Sequence, residues 1–175
     1  SLVRRDRTQR DLEMIDINLR THDITTILTE KSDWGGLQTQ TPRYVKAGGD
    51  FIWWSDSTGW GHYYLYTHDG KLKNALGTGP WRADNLVEVD SVKGVAWMTG
   101  VGREANEDPY YQHLYRVNLD GTGFTLIDAG DATHSADLSP SYKYDVDNYS
   151  RINLEPHAVL RDAATGKTVM DLETM

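Results

Sequence analysis

Cysteine is absent from this 175-residue chain, which excludes disulfides and thiolate metal sites while leaving the compartment open. Phenylalanine is scarce, with two residues against six tryptophans and ten tyrosines. That balance favours amphipathic aromatics on half-exposed sheets, because an indole N–H or a phenol O–H needs a polar partner when covered. No run of 18 apolar residues occurs, so no helical membrane span is legible. No secretory leader is legible either, which leaves localisation open. Excess positive charge is also missing: the net charge is −8. The one basic cluster, Arg4, Arg5, Arg7 and Arg10, is interrupted by Asp6 and followed by Asp11. A nucleic-acid site needs a basic stripe to replace phosphate counterions, so the cluster reads as a solvated strand pair and no nucleic-acid partner is expected. Finally, no stretch beyond about 10 residues keeps a helical period, whereas turn signals recur every ~8–12 residues, which predicts an all-β fold.

What is present is a repeat. Residues 61–70 contain His62, Tyr64, Asp69 and Gly70; residues 112–121 contain His113, Tyr115, Asp120 and Gly121 in the same spacing. The two copies lie 51 residues apart, from 62 to 113. A period of that length, built from strands and tight turns, is the mark of propeller blades. Weaker copies start near Leu12 and His157. Glycine after aspartate supplies the positive φ that a twist-matched hairpin turn demands.

The predicted architecture is a partial β-propeller of about four consecutive antiparallel meander blades. Their expected bounds are 1–31 (incomplete), 42–79, 81–130 and 133–175. The first unit shows only three strands, its innermost one being expected upstream of Ser1. An apolar groove is therefore expected near Leu12 to Leu19, together with self-association through unpaired blades. The run Phe51 to Ser55 suits a strand covered on both faces, and Trp53, Trp54 and Trp97 are expected to pack on neighbouring blades.

Candidate chemistry is weighed residue by residue. Six histidines raise the question of a metal. His62 and His68 are too far apart along a strand to share an ion, at ~3.3 Å per residue, and His113 and His134 lie in different units. Structural or exposed roles are expected, with no metal and no cofactor. Glu104, Glu107 and Asp108 read as a solvated loop, and Asp128, Asp131 and Asp137 as turn residues. Trp34, Trp60 and Trp81 sit beside glycines in loops; the expected role is to fold down and seal the blades, the alternative being to stack on a sugar or a partner.

The run from Trp53 to Tyr66, with Trp53, Ser55, Asp56, Gly59, Trp60, His62 and Tyr64 in register, resembles the N-terminal propeller region of dipeptidyl peptidase IV-like serine peptidases. His113 to Gly121 and Thr133 to Tyr144 look like further blades of the same family. The resemblance implies an eight-bladed propeller joined to a C-terminal α/β-hydrolase domain that releases N-terminal dipeptides from peptides. It also implies a cell-envelope or secreted setting. The partners implied are that domain, the remaining blades and the peptide substrate. Two family features are missing from this chain. No Gly-x-Ser-x-Gly nucleophile elbow occurs, and no Glu-Glu pair is available to bind a substrate amine. No catalytic residue is therefore expected here; the residues singled out are the blade motif Trp53, Gly59, Trp60, His62, Tyr64, Asp69, Gly70, His113, Tyr115, Asp120 and Gly121. A propeller module that binds protein or carbohydrate without enzymatic activity is the competing reading, since a propeller does not fix a function.

Overall fold

The computed structural model describes residues 1–174; Met175, the last residue of the expected fourth unit, lies outside the described residues. Fifteen strands form four antiparallel sheets in strict chain order. The first sheet has β1 (Leu2–Arg5), β2 (Asp11–Ile17) and β3 (Ile24–Lys31). The second has β4 (Arg43–Tyr44), β5 (Phe51–Ser55), β6 (His62–Tyr66) and β7 (Leu72–Ala75). The third has β8 (Arg82–Asp90), β9 (Val95–Val101), β10 (Gln112–Asn118) and β11 (Thr125–Leu126). The fourth has β12 (Thr133–Leu138), β13 (Tyr144–Arg151), β14 (Leu154–Asp162) and β15 (Thr168–Thr174). Each strand pairs with its chain neighbours, so each sheet is a meander and the chain is a partial propeller.

The core lies between the sheets, because each apolar sheet face must be covered by the next blade. Leu12, Met14, Leu28, Leu37, Phe51 and Trp53 fill the space between the first two blades. Ile52, Leu65, Leu76, Trp81, Ala96, Met98 and Tyr115 join the second and third. Val95, Trp97, Leu114, Ile127 and Ala163 join the third and fourth. Two tryptophans also cross between blades by hydrogen bond: Trp54 Nε1 donates to Ala83 O at 2.8 Å and Trp97 Nε1 to Ala163 O at 2.8 Å. The indole thus covers a blade face and satisfies a carbonyl of its neighbour. The groove expected from Leu12 to Leu19 is closed at its first end, where Leu12, Met14 and Ile15 are buried and Leu37 of the following loop packs with them, while Ile17 and Leu19 stand exposed.

The repeated hairpins fall on equivalent strands, β6–β7 and β10–β11. The register fixes which loops share an end of the arc. In the four-stranded blades, turns between second and third strands, and the links between blades, emerge at one end; the other two turns emerge at the opposite end. The first end carries the exposed side chains of Trp34, Trp60, Tyr110 and Ile152.

Candidate functional site

The densest polar chemistry is buried between the third and fourth blades. His113 is the second residue of β10, beside Gly100 of β9, and its ring is 2% exposed. Its Nδ1 meets Asp128 Oδ1 at 3.1 Å, and its Nε2 meets Glu107 Oε2 at 2.9 Å. Asp128, fully buried in the link to the fourth blade, also accepts the Leu114 amide at 2.6 Å. The His134 ring, on β12, lies 4.9 Å from that of His113 by ring centroids. His134 Nδ1 meets Asp147 of β13 at 2.9 Å, and its Nε2 meets Gly130 O at 3.1 Å. Arg161 of β14 closes the series, its Nε donating to Asp147 Oδ2 at 2.8 Å. Tyr149 and His157 extend the stack of rings from His134.

Charge balance explains why so many ionisable groups tolerate burial. A buried charge must be paired and hydrogen-bonded. Asp147 has Arg161, and Asp128 has His113. Burial is the largest single influence on His113 and pulls its pKa down, but Asp128 and Glu107 together outweigh it, so the pKa is raised. Asp145, two residues from Asp147 on β13, is fully buried and neither carboxylate oxygen has a partner. Burial, with Asp147 and Asp128 adding to it against the opposing pull of Arg161, pushes its pKa up to about 7. Asp128, His134 and Asp147 each offer a ligand atom within 4.8 Å of the others, a spacing compatible with a cation. Both Asp147 oxygens and both Asp128 oxygens already accept hydrogen bonds from protein donors.

This network corrects several expectations. Asp128 is a buried bridge rather than a turn residue, while Asp131 is exposed and pairs with Arg151. Glu107 is bound to His113 and Glu104 accepts from the Tyr115 hydroxyl at 3.2 Å, so this part of the loop is anchored, not simply solvated. His113 and His134 belong to different units yet their rings meet, because both stand at the strand ends nearest the link between blades. A lone aspartate before alanine and glycine carries no sequence signal of burial, which is why Asp128 was missed. The spacing of His113 from the equivalent His62 was the one available clue.

The second and third blades repeat the arrangement with different chemistry. His62 opens β6, is buried, and contacts the link ahead through Nε2 to Gly79 O at 3.0 Å. Its neighbour from the next blade is Trp81, edge-on at 4.7 Å, where His113 has His134. Burial lowers the His62 pKa, with the Gly79 carbonyl opposing. Both motif histidines thus seal a blade against its successor, but only His113 faces carboxylates.

The remaining motif residues divide between core and turns. Trp53 is fully buried opposite Tyr64, whose hydroxyl lies 3.3 Å from Thr58 Oγ1. Tyr115 is fully buried, its pKa pushed up by burial and Glu104. Asp69 shapes its turn by accepting from Thr67 and pairing with Lys71 at 2.9 Å, and Asp120 accepts from the Thr122 amide at 2.9 Å. Gly59, Gly70 and Gly121 have φ of 91°, 82° and 84°. Of the three loop tryptophans only Trp81 folds into a blade interface; Trp34 is 95% exposed and Trp60 47%, contrary to the sealing role expected of them. Among the described residues, the side-chain partners of the three buried histidines are carboxylates and carbonyls, not a serine or threonine hydroxyl.

Comparison with known proteins agrees with this architecture. The sequence profile of the "Dipeptidyl peptidase IV (DPP IV) N-terminal region" matches residues 1–156. A probable dipeptidyl peptidase 4 of Trichophyton verrucosum is 30% identical over 102 residues, 57% of this chain and 13% of that protein. The dipeptidyl peptidase 4 of Trichophyton equinum is 29% identical over the same length. The structure of Porphyromonas gingivalis dipeptidyl peptidase 4 superposes with a TM-score of 0.79 at 23% identity, covering 98% of this chain and 24% of that one. A putative dipeptidyl aminopeptidase IV from Bacteroides ovatus gives 0.82 at 17% identity, over 98% of this chain and 27% of that one. The chain therefore spans only a fraction of the relatives it matches. With its profile match running through the first three sheets and into the fourth, it belongs to the dipeptidyl peptidase IV N-terminal region family.

Proposed function

We propose that this chain is the non-catalytic scaffold and gate of a serine-type dipeptidyl peptidase. It would supply consecutive propeller blades beside an α/β-hydrolase domain that cleaves dipeptides from peptide N-termini. The observation that carries the reading is family membership over residues 1–156 in a chain with no Gly-x-Ser-x-Gly elbow. The end bearing Trp34, Trp60, Tyr110 and Ile152 is the face we assign to the hydrolase and the peptide path, since exposed aromatics concentrated on one end mark an interaction surface. The test has two arms. The purified 175-residue chain should not hydrolyse Gly-Pro- or Ala-Pro-anilide. The parent gene should encode a Gly-x-Ser-x-Gly elbow followed by Asp and then His. Hydrolysis by the purified chain that survives contaminant controls refutes the scaffold reading.

One observation favours a second reading, a module that binds protein or carbohydrate. Trp34 and Trp60 stand exposed at the same end of adjacent blades, where indole faces can stack on a sugar. A stop codon or an unrelated domain downstream, together with retention on immobilised oligosaccharide that is lost in Trp34→Ala, would establish the module instead.

A further inference from the structure

The loop at 102–111 is the longest connection within a blade among the described residues, and two of its side chains tie it down, Glu107 on His113 and Glu104 on the Tyr115 hydroxyl. Both ring nitrogens of His113 face carboxylates, Asp128 Oδ1 at 3.1 Å and Glu107 Oε2 at 2.9 Å. A carboxylate has no proton to give, and a neutral imidazole has one N–H. The neutral ring can therefore satisfy only one of the two. Asp128 is the partner it keeps, because Asp128 is fully buried and would be left as an uncompensated charge, whereas Glu107 is 18% exposed and can turn to water. We propose that His113 is a proton-operated latch: it ties the 102–111 loop to the third blade when its ring carries two protons, and it releases Glu107 when it carries one.

The surroundings decide the sense of the switch. From its own strand His113 has Tyr115, from the loop Glu107, from the blade link Asp128, and from β12 the His134 ring. Beyond these stand Asp145 and Asp147 of β13 and Arg161 of β14. The acidic groups in contact hold the proton on His113 beyond the ordinary 6.5. A raised histidine pKa stabilises the latched form fully below 6.5 and loses that stabilisation as pH rises through the folded-state value. The latch is thus closed in mild acid and opens as pH rises through a value above 6.5. Tyr110, 86% exposed on the same loop, moves with it, at the end of the arc that bears Trp34 and Trp60.

Hydrogen exchange of the loop amides reads this directly. After correction for intrinsic chemical exchange and referenced to β9, protection of residues 103–111 in the wild-type chain should fall about tenfold from pH 5.5 to 8.5, the scale of losing one charge-assisted hydrogen bond. Glu107→Gln should abolish that difference, since an amide can accept from or donate to either form of the ring. His113→Gln should leave the loop weakly protected at both values. Loop protection flat with pH in the wild type, or an unchanged pH difference in Glu107→Gln, overturns the latch. Because Glu107 sits on a surface loop, Glu107→Gln keeps the test usable even if His113→Gln does not fold.

Discussion

The rings of His113 and His134 meet at 4.9 Å, tilted by 34°, across two blades, with Asp128 in contact with the first and 4.0 Å from the second. Asp128 Oδ1 is 3.1 Å from the first imidazole, and Oδ2 is 4.0 Å from the second while accepting the Leu114 amide. One carboxylate therefore holds the link, the third blade and the face of the fourth in a single arrangement.

Asp128→Asn should consequently be among the most damaging single changes in the chain. It removes the charge opposite His113 and puts an amide NH2 against either the Leu114 N–H or His113 Nδ1. Breaking a buried pair from one side costs about 3–5 kcal/mol, and urea unfolding should show a loss in that range. Asp131→Asn, three residues along, removes only the exposed pair with Arg151 and should change stability by less than about 1 kcal/mol. Equal effects from the two substitutions would mean that the network does not hold the blades together.

The pH dependence follows from Asp145. Its folded-state pKa of about 7 lies above the ordinary 3.8, because burial and the charges of Asp147 and Asp128 disfavour ionisation. Between those values the folded chain binds more protons than the unfolded chain, so stability falls as pH rises through this window. Asp145→Asn keeps the shape and cannot ionise. It should match the wild type near pH 4 and be more stable at pH 8, by on the order of 4 kcal/mol for a shift of this size. Thermal melts of both proteins across pH 4 to 8 check this; parallel curves would show that Asp145 stays ionised at no cost.

The repeated Asp-Gly turn has a packing reason as well as a conformational one. A Cβ on Gly70 would lie 1.8 Å from the Ile27 carbonyl oxygen of the first blade, and one on Gly121 2.7 Å from that of Ala75 in the second. Gly166 repeats the contact at 2.4 Å from the Ile127 oxygen. At all three interfaces the turn of one blade rests on the outer backbone of the blade before it. Gly70→Ala and Gly121→Ala should each cost more than the ~1 kcal/mol typical of a left-handed position alone. Gly59→Ala, at φ 91° with open space around it, should cost only that amount. Urea midpoints for the three variants decide the matter, and equal losses would show that conformation alone selects glycine.

Much of this was legible in the chain. The period of 51 residues, the turn glycines and the alternation of strand residues place all four sheets, because each signal is local. The tryptophans of β5 and β9 announce covered faces by composition. The polar network was not legible, since its members lie on β10, a loop, a link, β12, β13 and β14, and nothing in the local pattern at Asp128 or Glu107 distinguishes a buried bridge from a turn residue. The exposure of Trp34 and Trp60 was misread for a related reason: glycine-flanked tryptophan looks alike whether the loop folds in, as at Trp81, or stands out.

The terminal blades give the last prediction. Leu2, Ile17 and Ile24 of the first sheet are exposed, as are Val169, Met170 and Leu172 of the last. No further sheet covers either one among the described residues. Interior blades bury such residues against a neighbour, so an isolated arc leaves two half-finished interfaces. At ~25 cal/mol per Å² of apolar surface, several hundred Å² left in water forgoes on the order of 10 kcal/mol, comparable with the stability of a whole domain. A second copy can recover part of it by stacking its own terminal blade there. The purified chain should therefore self-associate, with the sedimentation-average mass rising over the micromolar range. Met170→Ser combined with Leu172→Ser should weaken that association, since these side chains are already half exposed and their loss leaves the inner blades intact. A strictly monomeric particle at high concentration would show that the terminal faces tolerate water without a partner.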